Sequence, residues 1–467
     1  MQTFSTKAAR ISYCAPTVKF ITVGAIATLM TIVFGLGMNI PFIHGTKAMI
    51  VPLVADTISA ATALLFFIVS FTSLFFDFID ETRVMNRKVR NAFCYYRNGN
   101  PLNLKEGEKL PKFTCEKFTY DLYHIRVIPN GVNITKLMEA GSYVSAALNK
   151  RFKNFVVIDA ATDRYGTYVE YTIRDISVDR NFYFRSINDM KPSEISKNRI
   201  RVQKGTLIDL KSCGSILVAG KTRSGKTTGV ISIILQALVL GRDNFGSEIM
   251  IIDPKMAELS RLPHTYTLDN DGEAKNILKA IKHFSETITK RQAYLNDLSE
   301  KTGNAVKWWE AGMHCSFLFI DEYVALRSIL PKKPLKNAPD YSLEVFDNLL
   351  KRIVTMGASA GCFVIVSIAE ASVQEGGLPS MLRSAMQTKI LFKPTLTEGK
   401  LLWDNVQLEK FQDGQTYKAG DAWFSSPDGV NDNVQPVHFP IMDFDVYKQL
   451  GRQLSLYYKK GKHHNRG

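Results

Sequence analysis

Cysteine is scarce and scattered in this sequence. Its six cysteines, Cys14, Cys94, Cys115, Cys213, Cys315 and Cys362, include no C-x-x-C pair, and no histidine stands at ligand spacing from them. That excludes a structural zinc of the usual kind and implies a reducing compartment. No internal repeat and no long low-complexity segment is present, so neither a solenoid nor an extended disordered chain is expected. Acids are outnumbered: 44 Asp and Glu stand against 59 Lys and Arg, a formal charge of +15. This balance favours a polyanionic partner, although basic residues also gather beside membrane spans. At 467 residues the chain has length for two or three domains.

Charge is missing altogether from two stretches, Phe20 to Ile43 and Thr57 to Phe76, each long enough to cross a bilayer. The loop between them carries only Lys47 and Asp56, while Arg83, Arg87, Lys88 and Arg90 follow the second run. By the positive-inside rule both termini would lie in the cytoplasm. The expectation is a transmembrane hairpin within residues 1–90, with spans at about 20–43 and 57–76, in a multi-pass protein of the cell membrane. A cleaved signal peptide is the rival for the first run, but it lacks a clear small-x-small cleavage site. Asp56, at the outer edge of the second span, reads as a solvated interfacial residue.

Residues 91–117 turn to Gly, Asn, Pro and Lys, as in Asn98-Gly99-Asn100-Pro101, and read as a linker. Residues 118–200 read as a small α/β domain of order β-α-β-β. Tyr120 to Ile128 alternates, Pro129-Asn130-Gly131 turns the chain, and Ile134 to Leu148 has helical period. Phe155 to Ala160 and Tyr168 to Ile173 follow as strands. Residues 201–445 alternate apolar strands with helices, which implies a mostly parallel sheet covered on both faces. Residues 446–467, with no acid after Asp445, read as a frayed basic tail.

The strongest motif lies in the third part. The apolar run Ser215-Ile216-Leu217-Val218-Ala219 leads into Gly220-Lys221-Thr222-Arg223-Ser224-Gly225-Lys226-Thr227, a complete G-x-x-x-x-G-K-[ST] loop, and Thr228 opens an apolar helix. Two glycines let the backbone curl so that its N–H groups point inward, and the helix N-terminus adds positive potential, which together suit a polyphosphate. Gly220 through Thr228 are therefore the expected nucleotide-binding residues for ATP. Lys226 would reach the β- and γ-phosphates, and Thr227 would offer its hydroxyl to Mg²⁺. A plain Gly-rich turn is the bland alternative.

Phe317-Leu318-Phe319-Ile320-Asp321-Glu322 is a hydrophobic strand ending in two carboxylates. Asp321 is placed to hold Mg²⁺ with Thr227, and Glu322 to act as general base toward the attacking water. Solvation of a strand end is the structural alternative; glycosidase chemistry, which also uses paired carboxylates, has no other support. Asp253 and Lys255, in Ile251-Ile252-Asp253-Pro254-Lys255, end another strand and read equally as an ordinary turn or as groups facing the γ-phosphate or a neighbouring subunit.

The nucleotide loop, the D-P-K segment at 253–255 and the I-D-E strand at 320–322 together resemble, in order, the FtsK/SpoIIIE family of DNA-pumping ATPases. The resemblance runs from about residue 118 to about 445 and implies a RecA-like P-loop NTPase motor preceded by an accessory domain. It also implies a homo-hexameric ring that hydrolyses ATP with Mg²⁺ and acts on DNA. The short plan, without a large multispan anchor, a long linker or a winged-helix module, is similar to the coupling ATPases of Gram-positive conjugative elements. Those proteins work at the cell membrane and deliver DNA to a transfer channel with relaxase and channel partners. Two departures stand out. Where the family carries A-T-Q-R-P after its sensor strand, this chain has Ser367-Ile368-Ala369-Glu370-Ala371. An arginine common before the A-G-[IV] stretch is absent from Met356 to Gly361, leaving Arg352, Arg383 or Lys389 as weaker donors of charge to a neighbour's site. Lys332, Lys333 and Lys336 could line a pore, or lie in an ordinary solvated loop. The rival readings are a type VII-like protein-secretion ATPase, against which a single motor weighs, and an ATP-binding scaffold that does not pump.

Overall fold

Four runs in the second half of the chain are buried at every position: β8 (Ile216–Ala219), β9 (Ile249–Ile252), β11 (Ser316–Ile320) and β12 (Cys362–Ile368). A strand covered on both faces has no polar side to alternate with, which is why these segments are apolar but for Ser316 and Ser367. The computed structural model describes residues 80–94, 101–105, 107–193, 197–334, 336, 338–369, 378–404, 408, 411 and 416–460, with scattered positions between 61 and 79. These fall into two compact units, Met1–Val178 and Asp179–Gly467.

In the first unit, strands β1 (Lys112–Thr119), β2 (Leu122–Ile128), β3 (Phe155–Thr162) and β4 (Val169–Asp175) form an antiparallel sheet of order β1-β2-β4-β3. Strand β1 falls where a linker was expected. It is an edge strand exposed along most of its length, so its Lys112, Glu116 and Lys117 hide the strand signal. The expected helix over 134–148 is two short ones, α2 (Ile134–Glu139) and α3 (Gly141–Ala147), broken at Ala140. Helix α1 (Glu81–Cys94) buries Met85, Val89 and Phe93 in the core that also holds Tyr123, Ile125 and Tyr171. Its Glu81 ties it to β1 and β2, pairing with Lys117 at 2.7 Å and accepting from Tyr123 Oη at 2.6 Å.

Among the described residues no helix is long and apolar enough to cross a membrane, and this overturns the expected multi-pass placement. A span needs about 20 consecutive apolar residues in one helix. Helix α1, where the basic flank of the second span was expected, is instead amphipathic and packs on a sheet. The first expected span, 20–43, lies outside the described residues, and 57–76 is described only at scattered positions.

The second unit is built on an eight-stranded sheet of order β10-β9-β11-β12-β8-β13-β14-β15. Here β10 is Thr265–Tyr266, β13 Thr388–Phe392, β14 Asp421–Ser425 and β15 Gln435–His438. Pairing is parallel from β10 through β13 and antiparallel for the last two strands. Alternate residues of each strand feed two cores. Leu217, Met250, Leu318 and Val364 meet helices α5 (Lys275–Thr302) and α7 (Leu343–Met356), joined in sequence through the short α6 (Tyr323–Ile329). On the other face Val218, Ile251, Phe319 and Ile365 meet α4 (Lys226–Leu238) and a C-terminal helix, Val446–Lys460. That last helix corrects the expected frayed tail. Leu450, Leu454 and Tyr457 recur at helical spacing and are buried, Tyr457 Oη donates to Ser247 Oγ at 2.8 Å, and the basic Arg452 and Lys459 face outward.

At the amino-terminal edge of the sheet, Arg291 of α5 is completely buried. Its Nε donates to Ala360 O (2.8 Å), its Nη2 to His314 O (2.6 Å), and its Nη1 pairs with Asp243 Oδ2 (3.2 Å). Asp243 in turn accepts the N–H groups of His314 (2.6 Å), Phe245 and Ser247 (both 2.9 Å). One ion pair thereby ties the approaches to β9, β11 and β12, whose far ends carry the chemistry. Removing one partner of such a pair strands a buried charge, so Arg291→Ala is expected to destabilise this unit by about 3–5 kcal/mol. Urea unfolding followed by tryptophan fluorescence checks this; a midpoint equal to the parent's would refute it.

Candidate active site

Gly220 ends β8 with φ 148°, and a Cβ there would lie 2.9 Å from both Cβ and carbonyl oxygen of Phe392. Gly225 caps α4 with φ 92°, and a Cβ there would lie 2.6 Å from the backbone nitrogen of Gly420. Both positions are closed to any side chain, one by a strand and one by a turn. Between them Arg223 is left-handed at φ 62°, and Ser224 N–H closes a turn onto Lys221 O at 3.2 Å. Lys221, Thr222, Arg223 and Thr228 are exposed, Thr227 is partly covered, and Ser224 and Lys226 are buried.

Two of these buried groups are under-satisfied. Ser224 Oγ has no hydrogen-bond partner, and the Lys226 ammonium donates to Ile368 O at 3.1 Å, at the end of the neighbouring β12. Burial pulls the Lys226 pKa down, against the pull of Glu322 and Asp321. A buried hydroxyl and a buried ammonium beside a helix N-terminus are groups that phosphate oxygens satisfy. The expected loop residues therefore fit a nucleotide.

Strand order brings the second half of the site alongside. β12 alone separates β8 from β11, so Asp321 and Glu322 leave the same sheet edge as the loop. Asp321 N–H bonds to Ile252 O at 2.9 Å. Its carboxyl pKa is pushed up to about 6, first by burial and then by Glu322 and Asp253, while Lys226 and Ser367 oppose the shift. The hydroxyl of Thr227 and the carboxylate of Asp321 are both hard oxygen donors, a set suited to Mg²⁺ completed by water and phosphate. Glu322 stands at φ 61°, a left-handed conformation rare for a residue with a side chain, and its Oε2 pairs with Lys255 Nζ at 2.8 Å.

The D-P-K segment divides its labour. Asp253 is fully buried, and its carboxylate accepts the N–H groups of Lys255 (3.1 Å) and Ala257 (2.9 Å), so it builds its own turn and does not face a phosphate. Lys255 is the member that reaches the site. On the sensor strand Ser367 is buried beside Asp321, while Glu370 and Ala371 lie outside the described residues. Of the three weaker cation candidates, Lys389 is turned inward onto Leu402 O at 2.7 Å, and exposed Arg352 donates to Thr289 Oγ1 at 2.7 Å. Arg383 is partly buried.

Sequence reading missed the turn behind the loop. Gly420 N–H donates to Ser224 O at 2.9 Å, and His438, paired with Asp421 at 2.7 Å, leaves no room for a side chain on Gly420. A single Gly-Asp before a strand carries no motif, so only the antiparallel return of β14 and β15 reveals it.

The raised Asp321 carboxyl has a testable consequence. An acid whose folded pKa is raised contributes stability that is full below about pH 4 and is lost as pH rises through about 6. Without nucleotide or divalent ion, Asp321→Asn is expected to melt close to the parent near pH 4 and several degrees above it at pH 7.5. Calorimetry across that range checks the sign; a Tm difference that fails to grow with pH would refute it.

Residues 188–326 match the FtsK/SpoIIIE family. The Ftsk domain-containing protein YdcQ of Bacillus subtilis is 27% identical over 191 residues, 39% of this chain and 37% of that protein. The DNA translocase FtsK of Helicobacter pylori is 24% identical over 262 residues, 52% of this chain and 27% of that protein. The chain thus spans about a third of the length of these relatives. Among solved structures, the pCW3 conjugation coupling protein TcpA with ATPγS aligns over 80% of this chain and 99% of that one, at 14% identity and a TM-score of 0.46. EssC (ATPases 2 and 3) from Geobacillus thermodenitrificans aligns over 62% and 53%, at 15% identity and a TM-score of 0.41. Residues 188–326, which include the Gly220–Thr227 loop and the Asp321-Glu322 strand end, thus resemble the FtsK/SpoIIIE family.

Proposed function

We propose that this chain hydrolyses ATP at the β8–β11 sheet edge and uses the reaction to translocate DNA, working as a ring, a homo-hexamer by resemblance to its family. The observation that carries the reading is the convergence of Lys226 and Thr227, at the start of α4, with Asp321 and Glu322, at the end of β11, at one edge of one sheet. In this scheme the loop N–H groups and Lys226 hold the phosphates, and Glu322 orients and deprotonates the attacking water. Thr227 and Asp321 would hold Mg²⁺, which when bound neutralises charge on the transferred phosphoryl group. Lys226 stays close to the developing negative charge throughout.

DNA as the substrate is supported by the matched relatives named DNA translocases and by the net charge of +15. A pump must grip phosphates without reading bases, and Lys332, Lys333 and Lys336 offer such a grip: all three are exposed in the loop that follows α6, one short helix beyond Glu322. The finer role is delivery of DNA to a conjugative transfer channel together with a relaxase. It rests on the resemblance of the motor motifs, taken in order, to the coupling ATPases of conjugative elements. A second reading, an ATP-binding scaffold, is favoured by one feature, the replacement of the polar sensor and arginine after Ser367.

The test is ATP hydrolysis by the full chain with and without single- and double-stranded DNA, with Lys226→Ala as the blank. Either DNA is expected to stimulate hydrolysis, the stimulation to weaken as salt is raised, and Glu322→Gln to lower turnover by about 10²–10⁴. Turnover indifferent to both DNAs would favour protein secretion, and none above the blank would favour the scaffold.

A further inference from the structure

The ion pair between Lys255 and Glu322 joins the ends of β9 and β11, neither of which belongs to the phosphate-binding loop. We propose that Lys255 is a positioning residue for hydrolysis, its ammonium holding the Glu322 carboxylate in the orientation from which it serves the attacking water. The inference rests on Glu322 being the general base.

Register sets up the contact. β9 and β11 pair in parallel with Ile252 opposite Ile320, so Asp253-Pro254-Lys255 and Asp321-Glu322 leave the sheet at the same level. The turn after β9 is pinned independently of the site. Asp253 N–H bonds to Tyr266 O at 2.9 Å, its buried carboxylate holds the Lys255 and Ala257 N–H groups, and Met256 is left-handed at φ 53°. With its backbone fixed in this way, Lys255 reaches Glu322 Oε2 at 2.8 Å.

Glu322 needs such a partner. Its backbone occupies a conformation that costs on the order of 1 kcal/mol or more, and sites keep such strain where it aims a side chain. Its side chain is only 16% exposed, while that of Lys255 is 53% exposed. The pair therefore occupies one carboxylate oxygen from the solvent side and leaves the other for water. Lys255 also adds a fixed positive charge near Lys226, since it is one of the groups that lower the Lys226 pKa. Magnitudes separate positioning from stability. A half-exposed ion pair contributes about 0–1 kcal/mol to folding, so its loss leaves the chain folded. A base displaced by about 1 Å, by contrast, can cost about 10²-fold in rate.

The experiment is steady-state and single-turnover ATP hydrolysis by the full chain carrying Lys255→Ala, Lys255→Arg, Glu322→Gln, or Lys255→Ala with Glu322→Gln. Thermal melting and binding of a non-hydrolysable ATP analogue serve as controls for fold and site. Lys255→Ala is expected to lower kcat about 10–100-fold with KM within about twofold, and Lys255→Arg to recover most of the loss. Combined with Glu322→Gln, Lys255→Ala is expected to cost nothing further, because the two act as a unit. An unchanged kcat in Lys255→Ala, or a rise in KM alone, overturns the proposal. So does a loss that persists in the Glu322→Gln background, which would place the ammonium on the nucleotide itself. If Glu322→Gln retains parental turnover, the general-base assignment has failed instead, and the two failures are distinguished.

Discussion

A strand buried on both faces cannot carry charge along its length, and in this molecule that constraint forces the chemistry to the ends of the strands. β8, β9, β11 and β12 are buried throughout and carry no charged residue, so the first charges appear only as the chain emerges. Parallel pairing makes them emerge together: Gly220, Asp253, Asp321 and Ser367 come from four different segments and reach one edge of one sheet. Everything proposed for this protein depends on that shared edge.

At that edge the electrostatics are deliberately unfinished. Burial raises the Asp321 carboxyl and lowers the Lys226 ammonium, each favouring the neutral form, while their mutual attraction pulls the other way. A nucleotide phosphate beside Lys226 and a cation beside Asp321 would favour both charged forms, so the groups that burial makes costly are those that such ligands would satisfy. Lys255 stands apart. It is half exposed and engages Glu322, whose backbone is strained.

The opposite edge is held by different means. The Arg291 and Asp243 side chains are both buried, yet they pair with each other and each also bonds backbone groups, so the charge is neutralised where it sits. The fold thus closes its charges at one edge and leaves them open at the other. The C-terminal helix over Val446–Lys460 helps anchor the closed edge, since Tyr457 reaches Ser247 and Tyr458 Oη donates to Ile249 O at 2.8 Å.

Local chemistry in the chain was enough to specify the phosphate loop, the Asp321-Glu322 strand end and the mostly parallel sheet, because glycine spacing and unbroken apolar runs are properties of neighbours in sequence. It was also enough to misread two segments. Strand β1 looks like a linker because its exposed edge is charged. The C-terminal helix looks like a tail because its basic residues outnumber the three buried side chains that hold it. The multi-pass placement expected from the apolar runs finds no helix among the described residues long and apolar enough to cross a membrane. Only the folded chain decided which strand lies between β8 and β11, that Asp253 builds a turn while Lys255 meets Glu322, and that Gly420 backs the phosphate loop from nearly two hundred residues away. These are contacts between segments remote in sequence, set by strand order and register, and no periodicity within any one segment encodes them.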